Sequence, residues 1–308
     1  MMGRPAWVEV DLAAIRHNVR CACERVGAGC GVMAVVKANA YGHGLREVAA
    51  AALDAGAARL GVAVLDEAVA LRRAGCAAPI LALGMALASD AEELVAHDVA
   101  AALSDFTAAE ALAAAARRQG KAACAHLKVD SGMGRAGVPA GGALALLRRL
   151  RSLAGLTVEG IFTHFATADE PDLGFAREQA VLFQECLDRA RAAGVLPPVA
   201  HAANSAAILR LPQARHSLVR AGLVLYGIPP FPGAESRVPI RPALRLKARL
   251  VSVKDLPCGA GVGYGRAYVM ERPGRIAIVP LGYGDGFSRH NSNRGDVLLH
   301  GRRAPIRG

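Results

Sequence analysis

Eight short runs rich in Val, Ile, Leu and Ala, each followed by an amphipathic or Ala-rich stretch, constrain this chain more than any other feature. The runs are Val32 to Val36, Leu60 to Val64, Ile80 to Leu83, Ala100 to Leu103, Ala125 to Val129, Val158 to Phe162, Val199 to Ala202 and Ser217 to Arg220. The clearer helical stretches between and after them are Leu45 to Ala55, Asp66 to Ala74, Asp90 to Ala96, Ala108 to Gln119, Gly142 to Leu153, Phe175 to Ala193 and Ser205 to Leu211. Asp105 and Thr107 are start signals, and Gly120 and Gly194 are stop signals. Eight β/α units over about two hundred residues fit a parallel (β/α)8 barrel of the TIM type, although a doubly wound open sheet has a similar periodicity. The placement of polar residues bears on that choice, because barrel chemistry sits at the carboxyl ends of the strands.

After Pro229-Pro230 and Pro232-Gly233 the texture changes. From Leu244 the pattern alternates like a strand, turns Gly-rich, then becomes strand-like again at Ile276 to Pro280 and Val297 to His300. The expected division is a barrel over residues 1–235 and a mainly β C-terminal domain over 236–308.

The 308 residues carry 37 basic and 26 acidic side chains, a formal charge of +11, with mean hydropathy +0.27. The arginines occur in dispersed pairs and aromatics are only 4% of the chain, which argues against a nucleic-acid partner and for a field that attracts small anions. No uninterrupted run of apolar residues is long enough to span a membrane. Arg4, Glu9 and Asp11 interrupt the place where a secretory signal has its apolar core, so a cytoplasmic protein is expected. Seven scattered cysteines without a Cys-x-x-Cys pair are expected to be reduced thiols, and no metal site is expected.

Only five of the basic residues are lysines: Lys37, Lys121, Lys128, Lys247 and Lys254. Where arginine serves for most positive charges, a surviving lysine is a candidate for amine chemistry, since an ammonium can lose a proton and form an imine while a guanidinium cannot. Lys37 directly follows the first run, in Lys37-Ala38-Asn39-Ala40-Tyr41-Gly42-His43-Gly44. On that position alone, a reactive amine and a strand-end lysine reaching into solvent are equally consistent. The fifth run leads into Lys128-Val129-Asp130-Ser131-Gly132-Met133-Gly134-Arg135, the sixth into Thr163-His164, the seventh into His201-Ala202-Ala203-Asn204-Ser205, and the eighth carries Arg220-Ala221-Gly222-Leu223. Polar residues after four strands in succession would converge on one mouth of a barrel.

The segments Val35 to Gly44, Lys128 to Arg135 and His201 to Ser205, with Gly263-Tyr264-Gly265 and Leu281 to Gly286, resemble those of alanine racemases, pyridoxal-phosphate enzymes built as a barrel plus a β domain. The resemblance runs from Trp7 to the last residue. It implies that Lys37 holds pyridoxal phosphate covalently and serves as the base on one face of the substrate Cα. Tyr264 would be the base on the other face, entering from the second subunit of a homodimer with shared active sites. Tyr41, Ser205 and the backbone of Gly222 and Leu223 would hold the phosphate, with Asn204 beside them. Arg220 would face the pyridine nitrogen, and His164 would lie beside the ring, linked to Arg220. Arg135 would meet the substrate carboxylate, oriented by Lys128, which is carbamylated in some members. His43 is expected to be structural, and Tyr226 and Tyr268 to be packing residues.

Racemisation removes a proton from one face of Cα and delivers another to the opposite face, so two bases are the minimum equipment. The resemblance implies alanine as substrate, with D-alanine destined for peptidoglycan. A broader-specificity amino-acid racemase is the neighbouring expectation. The family continues beyond the position of Gly308, so the β domain is expected to be incomplete, and a pyridoxal-phosphate-binding protein with little turnover is the expectation from another class.

Overall fold

The computed structural model describes residues 4–308. The eight apolar runs become eight parallel strands: β1 Gly31–Val35, β2 Arg59–Val62, β3 Ile80–Met85, β4 Ala100–Leu103, β5 Ala123–Asp130, β6 Leu156–Phe162, β7 Val199–His201 and β8 Leu218–Ala221. They pair in chain order, β4 against β5 through Ala101 and Ala125, and β8 returns to β1 through Leu218 and Gly31. The sheet therefore closes into a barrel, and the open doubly wound arrangement is ruled out.

Eight helices accompany the strands: α1 Leu12–Val26, α2 Leu45–Asp54, α3 Leu65–Arg73, α4 Ala91–Ala96, α5 Phe106–Arg118, α6 Ala143–Arg151, α7 Gly174–Ala192 and α8 Ser205–Arg210. Asp105 caps α5 by accepting from the Ala108 N–H at 3.0 Å. The buried face of α5 is Ala108, Ala109, Leu112, Ala113, Ala115 and Ala116. Such small side chains let a helix lie close against the strands, and their burial removes apolar surface from water without a large entropic cost.

Helix α1 has no counterpart among the expected elements. Its inward face contains Ile15, Val19 and Ala22 but also the fully buried Asn18. That polar residue, set among arginines and cysteines, breaks the apolar periodicity. Asn18 is satisfied: its Nδ2 donates to the carbonyls of Leu225 at 3.0 Å and Arg241 at 2.8 Å, and its Oδ1 accepts from the Arg241 N–H at 2.7 Å.

The domain boundary also differs from the expected 235/236. One compact unit is Asp11–Ala243, and the other joins residues 4–10 to Leu244–Gly308. The cause is a long-range pairing: Ala6–Val10 runs antiparallel to Leu244–Ala248, with Trp7 opposite Lys247, and Lys247 Nζ lies 2.7 Å from a Glu9 oxygen. Local texture carries no record of such a partner. The second unit is otherwise β-rich as expected, with Ser252–Leu256 paired to Gly274–Ile278 and Asp296–Leu299 to Arg302–Pro305. No helix among the described residues is long and apolar enough to cross a membrane.

Candidate active site

The barrel unit holds a cavity of about 590 Å³ lined by the carboxyl ends of its strands. Lys37, Tyr41, Lys128, Arg135, His164, Asn204, Ser205, Arg220, Gly222 and Leu223, all expected at the site, line this one cavity. Four cationic side chains, Lys37, Lys128, Arg135 and Arg220, face a single lining carboxylate, Asp169. Such a balance favours an anionic ligand. Tyr264 belongs to the other unit, where it is exposed on a turn between Gly263 (φ 76°) and Gly265 (φ 65°).

Lys37 leaves β1 at the start of an unusual turn. Ala38, Asn39, Ala40 and Tyr41 all have φ 53°, a left-handed run that costs roughly 1–2 kcal/mol per non-glycine residue. Hydrogen bonds hold it. The Asn39 Oδ1 accepts from the Leu45 N–H at 2.8 Å, and His43 Nδ1 lies 3.0 Å from the Tyr41 carbonyl. Beneath the turn, Tyr226 donates its hydroxyl proton to the Val35 carbonyl at 2.8 Å and packs its ring 4.8 Å from that of Tyr41 and 4.6 Å from that of His43. Tyr226 and His43 thus support the segment that aims Lys37 and Tyr41.

Three hydroxyl and amide groups form a small cradle. Ser205 Oγ accepts from the N–H groups of Gly222 at 2.9 Å and Val224 at 3.4 Å. A side chain at Gly222 would bring its Cβ to 3.1 Å from the Tyr41 hydroxyl and 3.9 Å from Ser205 Oγ, so glycine keeps this space open. Burial raises the Tyr41 phenol above its ordinary range, leaving it a neutral donor. The cradle suits a phosphate group. Asn204, expected among the cofactor contacts, spends its side chain as the cap of α8, accepting from the Ala207 N–H at 3.0 Å.

Arg220 is 4% exposed and anchored by five acceptors. One terminal nitrogen donates to His201 Nδ1 at 2.7 Å and to the His201 carbonyl at 3.2 Å. The other meets the carbonyls of Thr163 at 2.7 Å and Ala202 at 2.8 Å and the Nδ1 of His164 at 3.0 Å. Its Nε–H makes no hydrogen bond within the described residues and is not sealed from the cavity, so it is free to meet an acceptor there. Burial pushes the guanidinium down to about 9, which still leaves it charged at neutral pH.

Lys128 is buried, with its Nζ 5.6 Å from the centre of the Phe162 ring. Desolvation first, and then the charge of Arg135, bring its amine down to about 8. The loop carrying Arg135 is held by Asp130, whose carboxylate accepts from the N–H groups of Gly132 at 2.9 Å and Gly134 at 3.1 Å.

Three further residues, His126, Glu159 and Arg59, were not among the expected site residues. His126 Nδ1 lies 2.8 Å from His201 Nε2, His126 Nε2 lies 3.2 Å from Glu159, and Arg59 grips Glu159 with two bonds of 2.8 and 3.1 Å. The available signal was the period-two placement of His126, Lys128 and Asp130 along one strand, which puts them on a common face.

His126, His164 and His201 are all held neutral by burial, which outweighs the neighbouring Glu159 at His126 and is reinforced by Arg220 at the other two. Below about pH 6.5 the unfolded chain binds protons on these imidazoles more readily than the folded chain does. Stability is therefore expected to fall as pH drops below about 6.5, because protonation then favours the unfolded chain. Urea unfolding at pH 7 and pH 5.5 measures this slope, and equal midpoints would contradict the neutral assignment.

Two family models match the chain: the N-terminal domain of alanine racemase over residues 10–230 and its C-terminal domain over 243–308. The alanine racemase of Symbiobacterium thermophilum is 46% identical over 305 residues, which is 99% of this chain and 81% of that protein. The crystal structure of alanine racemase from the D-cycloserine producer Streptomyces lavendulae matches with a TM-score of 0.95 and 39% identity, covering 100% of this chain and 82% of that one. A histidine racemase from Leuconostoc mesenteroides matches with a TM-score of 0.85 and 32% identity, covering 96% of this chain and 79% of that one.

Proposed function

This chain belongs to the alanine racemase family, and on that footing we propose that it interconverts L- and D-alanine by a two-base route, with Lys37 on one face of Cα and Tyr264 on the other. The observation that carries the reading is the sharing of one cavity by the Lys37 amine, the Tyr41, Ser205 and Gly222 cradle, and the unpaired Arg220 Nε–H. These groups match, in number and chemistry, the aldehyde, phosphate and ring nitrogen of pyridoxal phosphate, the cofactor of this family. When bound, that cofactor supplies the electron sink that makes the substrate Cα–H acidic.

In this reading Lys37 holds the cofactor through Nζ and later takes or returns a proton there. Tyr41, Ser205 and the N–H groups of Gly222 and Leu223 would hold the phosphate, the Gly222 N–H exchanging its bond to Ser205 Oγ for a phosphate oxygen, with Asn204 fixing the start of α8. Arg220 offers Nε–H to the pyridine nitrogen, and His164 steadies the guanidinium. A guanidinium does not readily hand over its proton, so the ring nitrogen stays neutral and side reactions that need the strongest electron sink are suppressed. Arg135 binds the substrate carboxylate. Tyr264 acts from a partner subunit, so the working unit is a homodimer, and the D-alanine made goes to peptidoglycan.

Lys128 orients Arg135 as a carbamate. An amine brought down to about 8 is partly unprotonated near neutral pH and can attack carbon dioxide. A carbamate carbon resonance is expected under ¹³C-labelled bicarbonate at pH 8 and should be absent from Lys128→Arg; its persistence in that variant would place it elsewhere.

The test of function is purified protein with L-alanine and pyridoxal phosphate. Optical activity is expected to decay to zero without release of carbon dioxide, and carbon dioxide release would end the racemase reading. The histidine racemase on the same fold favours trying one second substrate, L-histidine. Comparable kcat/KM for the two amino acids would make the enzyme a broader-specificity racemase.

A further inference from the structure

A line of buried polar groups leads away from the cavity. It runs from Arg220 through His201 and His126 to Glu159 and Arg59, with the two histidines fully buried. Space for it is built into the barrel: a Cβ at Gly160 would fall 2.1 Å from His126 Nδ1, so only glycine at 160 admits this imidazole.

The proton positions along the line follow from its ends. A guanidinium only donates, so His201 Nδ1 is the bare nitrogen and His201 Nε2 carries the proton. His126 Nδ1 then accepts, and His126 Nε2–H donates to the carboxylate of Glu159, which only accepts. Both ends demand the same direction. Arg220 has no carboxylate among its direct partners, and a buried cation without a counter-charge is costly. The nearest carboxylate it reaches by hydrogen bonds is Glu159, through two neutral imidazoles.

We propose that Glu159 is a positioning residue for the cofactor's ring nitrogen, serving as the remote counter-charge of Arg220 through His126 and His201, with Arg59 offsetting part of that charge. The proposal rests on the assignment of Arg220 to the pyridine nitrogen. The carboxylate polarises each imidazole toward the next, His201 accepts more strongly from Arg220, and the guanidinium becomes a weaker donor at Nε. Removing Glu159 sharpens the donor; removing Arg59 leaves the carboxylate less neutralised and blunts it.

The test is the ¹⁵N resonance of ring-labelled pyridoxal phosphate in the holoenzyme. Arg220→Lys must move the signal; if it does not, the ring nitrogen is not at Arg220 and the underlying reading fails. With that control met, Glu159→Gln is expected to shift the signal toward stronger hydrogen bonding and Arg59→Gln in the opposite sense. In Glu159→Gln the sharper donor makes the bound cofactor a stronger electron sink, so transamination is expected to rise relative to racemisation, with KM little changed. Loss of a merely structural ion pair would move both variants alike or neither, and either result overturns the proposal. Should Glu159→Gln not fold, ¹⁵N-histidine spectra of the unmodified protein decide: both His126 and His201 must carry their proton on Nε2, and an Nδ1 proton on either overturns the line.

Discussion

Lys37→Ala is expected to fold normally, to lose the visible absorbance of lysine-bound pyridoxal phosphate, and to racemise L-alanine at least about 10⁴-fold more slowly, the upper range for a single acid–base group. The fold should survive because the Lys37 amine makes no hydrogen bond within the described residues and its side chain is only partly buried, so truncation strands no buried partner. The cradle of Tyr41, Ser205 and Gly222 remains, so the variant should still bind pyridoxal phosphate reversibly through its phosphate. Two functions are lost together: the covalent anchor and the proton carrier on one face of Cα. Absorbance spectroscopy and polarimetry on the same sample check both. A variant that kept the lysine-bound absorbance would show that Lys121, Lys128, Lys247 or Lys254 holds the cofactor instead.

The second large effect is expected at Tyr264. Tyr264→Phe removes one oxygen from a side chain that is 88% exposed in the chain, so stability should not change. The visible absorbance should also be retained, because every group assigned to the cofactor lies in the barrel unit. Racemisation is nevertheless expected to fall by about 10²–10⁴-fold, the usual contribution of a positioned acid or base. An exposed tyrosine with so large an effect on rate and so little on stability would fit a residue that completes a neighbouring subunit's site. Activity per chain should accordingly drop on dilution to monomers. Unchanged racemisation in Tyr264→Phe would remove the second base, and full activity in demonstrated monomers would remove the sharing. A protein that bound the cofactor with little turnover would show no difference between the unmodified chain and the Tyr264→Phe variant.

Much of this fold is written in local sequence. Each apolar run became a barrel strand because a strand buried on both faces needs a short continuous apolar segment and little else. The strand ends then placed Lys37, Lys128, His164, Ser205 and Arg220 around one cavity without further information. The rest was set by contacts distant along the chain. Helix α1 was hidden by Asn18, a buried polar residue whose partners lie more than two hundred positions away. Residues 4–10 joined the β unit through a strand pairing that local texture does not reveal. The left-handed run after Lys37 uses two alanines, residues with no preference for positive φ, and it persists because Asn39, His43 and Tyr226 hold it. His126 and Glu159 sat inside apolar runs and read as strand, yet they link the cationic site to a carboxylate.

The central claim is that two different groups handle the proton on the two faces of Cα, and conversion of L-alanine in heavy water, stopped at low extent, tests it most directly. If one base takes the proton and the other delivers a solvent-equilibrated one, the first D-alanine formed carries deuterium at Cα while the recovered L-alanine keeps its original hydrogen. D-alanine that retains the substrate's own α-hydrogen would mean that a single group carried the proton from one face to the other, and the assignment of Lys37 and Tyr264 as a pair would fall.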